Sequence, residues 1–322
     1  MPIQDNDKAV HIPLPVGTQV AIRVDFRDSS GEIASLAGAV GVVIHVPDLP
    51  EGQYLVRLVN GIEANFPRKH LTISKLIGAR DMEAVGEQVM AGIDLFPCVI
   101  YRCIVGSRAY GLSNENSDVD RRGFYLPPAN LHWSLFGVPE QLEKAETDEC
   151  YWELQKFIQL ALRANPNILE CLYTPMIETV TPLAQELLDQ REVFLTRLVY
   201  QTYNGYVISQ FKKLEQDLRN REEIRWKHAM HLIRLLLSGI TILRDGFVMI
   251  SVDSYRDQLL TIRQGEMPWE AINAWRLRLH KEFEEAYQTT RLPVQPDYLK
   301  ANAFLIHARE SMARVQGLPY EH

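Results

Sequence analysis

The chain has 322 residues, 46% hydrophobic and 23% charged, with a formal net charge of −7. This is ordinary globular composition with length for two or three domains, and the acidic balance excludes a bulk electrostatic grip on nucleic acid while leaving room for a local basic groove. Cys98, Cys103, Cys150 and Cys171 show no metal-type pairing and read as core thiols of a reducing cytoplasm. The polar start carries no signal-peptide pattern, and residues 232–250 are interrupted by Arg234, Ser238, Gly239, Arg244 and Asp245, so a soluble cytoplasmic protein without a membrane partner is expected.

Residues 1 to about 12 read as a loose tail. From Pro15 short strands alternate with turns. Residues 18–24 alternate polar and apolar side chains, Asp28-Ser-Ser-Gly31 turns, residues 39–46 form a strand closed by the Pro-containing stretch 47–52, and residues 54–59 lead into Asn60-Gly61, a strong hairpin signal. Residues 62–66 return and 70–73 close the set. This pattern predicts a small β-barrel over residues 1–75. With glycine-rich Ala37-Gly-Ala-Val-Gly-Val-Val43 it resembles Src-homology or KOW-like barrels, which bind peptides, RNA or other domains or pack against a neighbour. Which of these applies stays open.

Residues 76–94 carry helical periodicity, with Met82, Val85, Val89 and Met90 on one side, and join the barrel to the next domain. Residues 98–105 form a strand, a Gly-Ser turn follows, and a second strand runs over 119–126. Residues 131–146 are amphipathic but irregular. His132, Trp133 and Phe136 there read as packing, with a base pocket as the alternative. Residues 148–154 read as a strand running into a helix that stops before Asn165-Pro166, because proline disfavours helix in the residue before it. From Thr181 the pattern is helical throughout: 181–189, 193–218, 225–245 with Gly246 as C-cap, 257–264, 269–289 and 299–315. The expected architecture is α+β. A central domain over 76–178, a mixed sheet with helices, is followed by a C-terminal helical bundle over 179–322.

The chemistry concentrates between the two central strands. Asp118 and Asp120 flank one apolar residue, so on a strand they project from the same side, roughly 7 Å apart. Two carboxylates on one face repel unless a cation lies between them, and hard oxygen ligands suit Mg²⁺. Gly106-Ser107 lies where a strand meets a helix start, a place where backbone N–H groups hold phosphate. A phosphate cradle beside a carboxylate metal site is equipment for phosphoryl or nucleotidyl transfer. A Gly-x-Ser-x-Gly elbow, a Walker loop, a Gly-x-Gly-x-x-Gly fingerprint and Cys-x-x-Cys pairs are absent from the sequence.

Gly-Ser followed by Asp-x-Asp on the next strand resembles the nucleotidyltransferase superfamily related to DNA polymerase β. Further blocks narrow this: Gly106-Ser-Arg-Ala-Tyr-Gly111, Ser117-Asp-Val-Asp-Arg-Arg-Gly123, Leu154-Gln-Lys-Phe157, Asn165-Pro-Asn-Ile-Leu-Glu170 and Lys227-His-Ala-Met-His-Leu-Ile-Arg-Leu235. Together they resemble the bacterial and phage family of RNA-repair-associated polymerase-β-like nucleotidyltransferases, over about residues 98–270 and outside the N-terminal barrel.

The resemblance implies roles. Gly106 and Ser107 would hold the triphosphate, with Arg108 near its phosphates or on the surface. Asp118 and Asp120 would bind two Mg²⁺ ions, with Mn²⁺ as a substitute; one ion would hold the triphosphate and the other would acidify the incoming hydroxyl. Asp148, at the start of the next strand, is the best match for a third carboxylate, with Glu153 as the alternative. Arg122 falls on the carboxylate face, for Asp120 or for phosphate. Lys227, His231 and Arg234 share a helix face; as a basic stripe they would bind triphosphate or an RNA end, and otherwise they are a solvated or ion-paired face. Lys156 is a similar candidate, and the stretch Arg263-Gln-Gly-Glu266 caps a helix or touches substrate. The expected reaction moves a nucleoside monophosphate from an NTP, such as ATP, to an acceptor hydroxyl and releases pyrophosphate. The expected acceptor is an RNA, tRNA-like end. The alternatives are nucleotidylation of a protein or small molecule, as in toxin-like relatives, and a catalytically inactive nucleotide- or RNA-binding module.

Overall fold

A computed structural model describes residues 13–315 apart from 29, 48, 50, 51, 75–84, 87, 116 and 221–224. The tail over 1–12 and most of the helix expected over 76–94 lie outside the described residues; within that helix, 85–86 and 88–90 are helical. The chain is a mixed α+β protein and divides into two compact units, Met1–Gly92 and Ile93–His322.

The first unit is built from β1 (Gln19–Ile22), β2 (Phe26–Arg27), β3 (Ile33–Ser35), β4 (Val40–His45), β5 (Gln53–Leu58), β6 (Glu63–Pro67) and β7 (Leu71–Ile73). Alternation sets the inward face: Tyr54, Val56 and Leu58 on β5 meet Ala64 and Phe66 on β6 and Val20, Ile22 and Val43 from β1 and β4 in one apolar cluster. Asn60-Gly61 closes the β5–β6 hairpin, and across it Arg57 pairs with Glu63 at 2.7 Å. The sheet runs in the order β6-β5-β4-β1-β7, with β2 and β3 paired separately. Its edges β6 and β7 are not hydrogen-bonded to each other among the described residues, so the expected barrel is an open sheet there. Closure needs staggered strands long enough to pair along both edges, and β7 has three residues, all used against β1.

The second unit begins with β8 (Val99–Val105), α1 (Gly106–Ala109), β9 (Asp120–Tyr125), α2 (Ala129–His132), β10 (Gln141–Lys144), β11 (Glu149–Glu153), α3 (Leu154–Leu162), α4 (Pro166–Tyr173) and β12 (Ile177–Val180). Its sheet runs β10-β11-β9-β8-β12, with β9 and β11 parallel and the other neighbours antiparallel. β10 and β12 fall in stretches without a legible strand pattern. Both are edge strands, and all four β12 residues are exposed, so neither carries a full inward–outward alternation. Glu153 caps α3, accepting from the Gln155 and Lys156 amides at 2.8 and 3.3 Å. Asn165 caps α4 with Pro166 in its first turn, which is why the chain breaks there.

The chain then turns helical through α5 (Pro182–Asp189), α6 (Leu198–Asn220), α7 (Trp226–Asp245), α8 (Arg256–Gln264), α9 (Trp269–Thr289) and α10 (Tyr298–Val315). Gly246 ends α7 in the left-handed conformation at φ 66°. α7 is apolar on nearly all sides beyond its first turn and packs against α6, α8 and α9. An apolar core continues from the sheet into these helices: Tyr101 and Phe124 on the strands, Phe157 on α3, Leu236 on α7 and Phe283 on α9 belong to it. The rings of Phe124 and Phe157 lie 4.6 Å apart, where sheet meets helix.

Candidate active site

The register of β8 against β9 creates the site. Val105 pairs with Asp120, so the residue after β8 lies beside the Asp120 carboxylate. That residue is Gly106, at φ 71°, and a Cβ on it would stand 2.0 Å from Oδ2 of Asp120. A side chain at 106 would displace the carboxylate. The turn that follows is tight, with the Tyr110 amide donating to Gly106 O at 3.1 Å and the Leu112 amide to Ser107 O at 2.9 Å.

The parallel pairing of β11 with β9 supplies a second carboxylate. Glu149 is level with Arg121, which brings Asp148 beside Asp120. Asp148 sits in the left-handed region at φ 48°, ending a short 3-10 turn, and its carbonyl accepts from the Arg121 amide at 3.1 Å. Arg122 bridges the two acids. Its Nη2 lies 2.9 Å from Oδ1 of Asp148 and 3.4 Å from Oδ1 of Asp120, and its Nη1 donates to Asp148 O at 2.6 Å. Burial, and then the neighbouring Asp148, push the Asp120 carboxyl up to about 6. At Asp148 burial also pushes upward, but hydrogen bonds to Asp120 and Arg122 outweigh it and hold that carboxyl below its ordinary value. Each acid thus shifts the other, upward at Asp120 and downward at Asp148.

These groups line a cavity of about 560 Å³ whose wall includes Gly106, Ser107, Asp118, Asp120 and Asp148, with Lys227, His228 and His231 of α7 and Arg263 of α8. Strand alternation, register and the helical face thus bring together residues far apart in the chain. Arg108 is not in this wall. Its guanidinium donates to Ser117 O at 2.9 Å and Asp118 O at 3.3 Å, bracing the loop that carries Asp118. Arg263 donates to Leu112 O at 2.9 Å and pins the same loop from the helices. Glu153 lies elsewhere, buried as the α3 cap and bonded to Arg309 at 2.6 Å. Lys156 pairs with Glu140 at 2.5 Å and, like His132, lines a separate cavity of about 230 Å³. Trp133 is exposed.

The basic stripe of α7 needs correction. Arg234 is 1% exposed and does not face the cavity as a free cation: its Nη1 bonds Glu170 Oε1 at 2.6 Å, and its guanidinium stacks 3.8 Å from the Tyr110 ring centroid. Tyr110 donates its hydroxyl to the other oxygen of Glu170. Burial and the neighbouring Arg234 hold His231 down at about 3, so it is neutral at physiological pH. His228 is also lowered, first by burial, and its Nδ1 meets Gln210 at 2.9 Å. Lys227 therefore carries the positive charge of α7 in the cavity wall. Glu170 and Tyr110 went unrecognised as a functional pair in the sequence. A signal existed: an acid inside the apolar run Ile168-Leu-Glu-Cys-Leu172 has to find a buried partner.

Among the described residues no three His, Cys, Asp or Glu side chains already converge as metal ligands. The donor chemistry nevertheless fits a divalent cation: the hard carboxylate oxygens of Asp118, Asp120 and Asp148 line one cavity, and a guanidinium already serves as the positive charge between Asp120 and Asp148. Among the described residues no helix is long and apolar enough to cross a membrane.

The chain is similar to the uncharacterized protein YcgL of Bacillus subtilis (strain 168). The two are 25% identical over 155 residues, which cover 47% of this chain and 58% of the other, less than two thirds of its length. A family model described as the RNA repair pathway DNA polymerase beta family matches residues 80–307. That stretch contains the Gly-Ser turn, both carboxylate strands and the α7 wall of the cavity, and the chain belongs to the RNA repair pathway DNA polymerase beta family.

Proposed function

We propose that the protein is a nucleotidyltransferase, moving a nucleoside monophosphate from an NTP to the terminal hydroxyl of an RNA, tRNA-like acceptor and releasing pyrophosphate. The observation that carries this reading is the placement of Asp120, at the start of β9, beside Asp148, just before the parallel β11, with Gly106 against Asp120 and Asp118 and Lys227 in the same cavity. Family membership supports the reaction class and the RNA context.

Asp118, Asp120 and Asp148 would hold Mg²⁺ or Mn²⁺, which when bound neutralises triphosphate charge and acidifies the attacking hydroxyl. The remaining work belongs to the chain. Gly106 and Ser107 present backbone amides and a hydroxyl to the phosphates, as the open φ at 106 permits. Lys227 offsets phosphate charge from the α7 side. Arg122 keeps the two acids together until the nucleotide arrives. Arg108 and Arg263 fix the loop so that Asp118 is presented without a rearrangement.

The test uses α-labelled NTPs with Mg²⁺, total RNA and cell lysate. Label is expected in RNA, and Asp120→Asn is expected to lower its rate on the order of 10²-fold or more, the scale of losing charge stabilisation at the reacting centre. Label confined to protein or small molecules would sink the RNA acceptor. No label anywhere, with equal NTP binding by the wild type and Asp120→Asn, would sink the transferase reading.

A further inference from the structure

The buried group Glu170–Arg234–Tyr110 has no direct part in that reaction, yet it meets the cavity through the Tyr110 side and through a polar contact to His231. Nη2 of Arg234 lies 3.1 Å from Nδ1 of His231. A guanidinium has hydrogens to donate and no lone pair to offer, so Nδ1 of His231 is the acceptor. In a neutral imidazole the hydrogen then resides on Nε2. Arg234 is in turn held from the other side by Glu170 at 2.6 Å, and Tyr110 holds Glu170 through its hydroxyl while its ring covers the guanidinium.

Position along α7 separates two tasks. Lys227 acts on Asp120 and Asp148, at the carboxylate end. His231 lies one helical turn further on, about 6 Å along the axis. The cavity wall it belongs to also includes the aromatic or apolar Tyr110, Leu112 and Met230 and the neutral polar Asn114 and Gln210. The charged and titratable groups acting on His231 are Arg234, His228 and Lys227 on its own helix and Lys213 on α6, with Glu170 of α4 and Tyr110 reaching it through Arg234. Four of these are basic groups that oppose a second positive charge there. An uncharged donor beside uncharged groups suits a neutral acceptor, and a triphosphate is not one.

We propose that the buried Glu170–Arg234 pair holds His231 with its hydrogen on Nε2, so that His231 reads a hydrogen-bond acceptor on the base of the bound nucleotide. Glu170, Arg234 and Tyr110 are positioning residues; His231 is the contact. This deepens the nucleotidyltransferase reading and rests on nucleotide binding in the same cavity, not on transfer having been observed.

Two measurements test it on the full-length protein. The first is nitrogen-15 NMR of the His231 ring, assigned by its loss in His231→Asn. The wild type should show the Nε2–H tautomer, unchanged from pH 5 to pH 8. In Arg234→Met the ring should lose its fixed tautomer and show mixed tautomers, with burial still holding its titration below the ordinary histidine range. That variant leaves Glu170 buried and unpaired, so Glu170→Met combined with Arg234→Met removes both ions together and serves if the single change does not fold. A wild-type ring that titrates near neutrality, or carries its hydrogen on Nδ1, overturns the proposal.

The second measurement is calorimetric binding of the α,β-methylene analogues of ATP, GTP, CTP and UTP without acceptor. His231→Ala should weaken the preferred nucleotide about tenfold, the scale of one lost hydrogen bond, and flatten the preference among the four. His231→Asn, which keeps an N–H donor, should restore part of it. An equal loss for all four, or none, overturns base reading. Because no transfer occurs with these analogues, a protein that binds and discriminates as expected but fails to label RNA overturns the reaction and leaves this inference standing.

Discussion

At the scale of the residue, Asp120 has a titration of its own. An acid whose folded pKa stands at about 6, above the unfolded value of about 3.9, keeps a proton that the unfolded chain has released. Its contribution to stability is present below about pH 4 and is lost as pH rises through about 6. Above that pH the carboxylate is charged beside Asp148, and Arg122 and then Lys227 offset it. A divalent cation competes for the same oxygens as the proton. Melting curves with and without Mg²⁺ should therefore differ more at pH 7.5 than at pH 5, and Asp120→Asn should remove the pH dependence of that difference. A magnesium shift that is equal at both pH values would refute Asp120 as the ligand that gives up its proton. Asp118, Asp120, Gly106 and Ser107 were legible as a group because they are adjacent in the chain and alternation is a local rule. Whether Arg108 served phosphate or structure was not, because its carbonyl partners depend on how the loop folds back.

At the scale of the element, the two candidates for a third carboxylate separate by what surrounds them. Asp148 is at the mouth of β11, half exposed, with one partly exposed cation beside it. Glu153 is at the far end of the same strand, buried, capping α3 and neutralising Arg309. Asp148→Ala should change unfolding free energy by about 1 kcal/mol or less, as an exposed ion pair does, while abolishing transfer. Glu153→Ala should cost about 3–5 kcal/mol, because it strands the Arg309 charge and the α3 amides. Urea unfolding and labelled transfer on both variants decide this; the reverse pattern would assign the role to Glu153. Helix positions from α5 to α10 were readable to within a few residues, since period and caps are local. The edge strands β10 and β12 were not, because lying at the sheet margin imposes little pattern on their side chains.

At the scale of the whole molecule, sheet and helices of the unit Ile93–His322 contribute to a common apolar core. Phe283 on α9 is fully buried in that core, as are Tyr101 and Phe124 on the strands. Phe283→Ala should lower stability by about 3–5 kcal/mol. Its effect should reach the strands: amide hydrogen exchange in β8 and β9 should accelerate with that in α9. Protection lost in α9 alone would show that the helices unfold independently of the sheet. The site inherits this unity, because α7 supplies one wall of the cavity and the other comes from the turn and loop after β8, Asp120 at the start of β9 and Asp148 just before β11.

By itself the sequence determined the locally encoded features: the Gly-Ser turn, the strand that begins at Asp120, the helix break at Asn165-Pro166, the helix cap at Gly246, and the family that these blocks mark. Strand alternation, capping and turn chemistry act within a few residues of the chain, so they can be read along it. The tertiary structure decided what depends on contacts across long separations. Parallel pairing brought Asp148 to Asp120 and left Glu153 at the other end of β11. Packing of α4 against α7 turned Arg234 from a surface cation into the buried partner of Glu170. Along the chain a charge is the same residue in water or in a core; its partner and its proton are set by the desolvation that folding imposes.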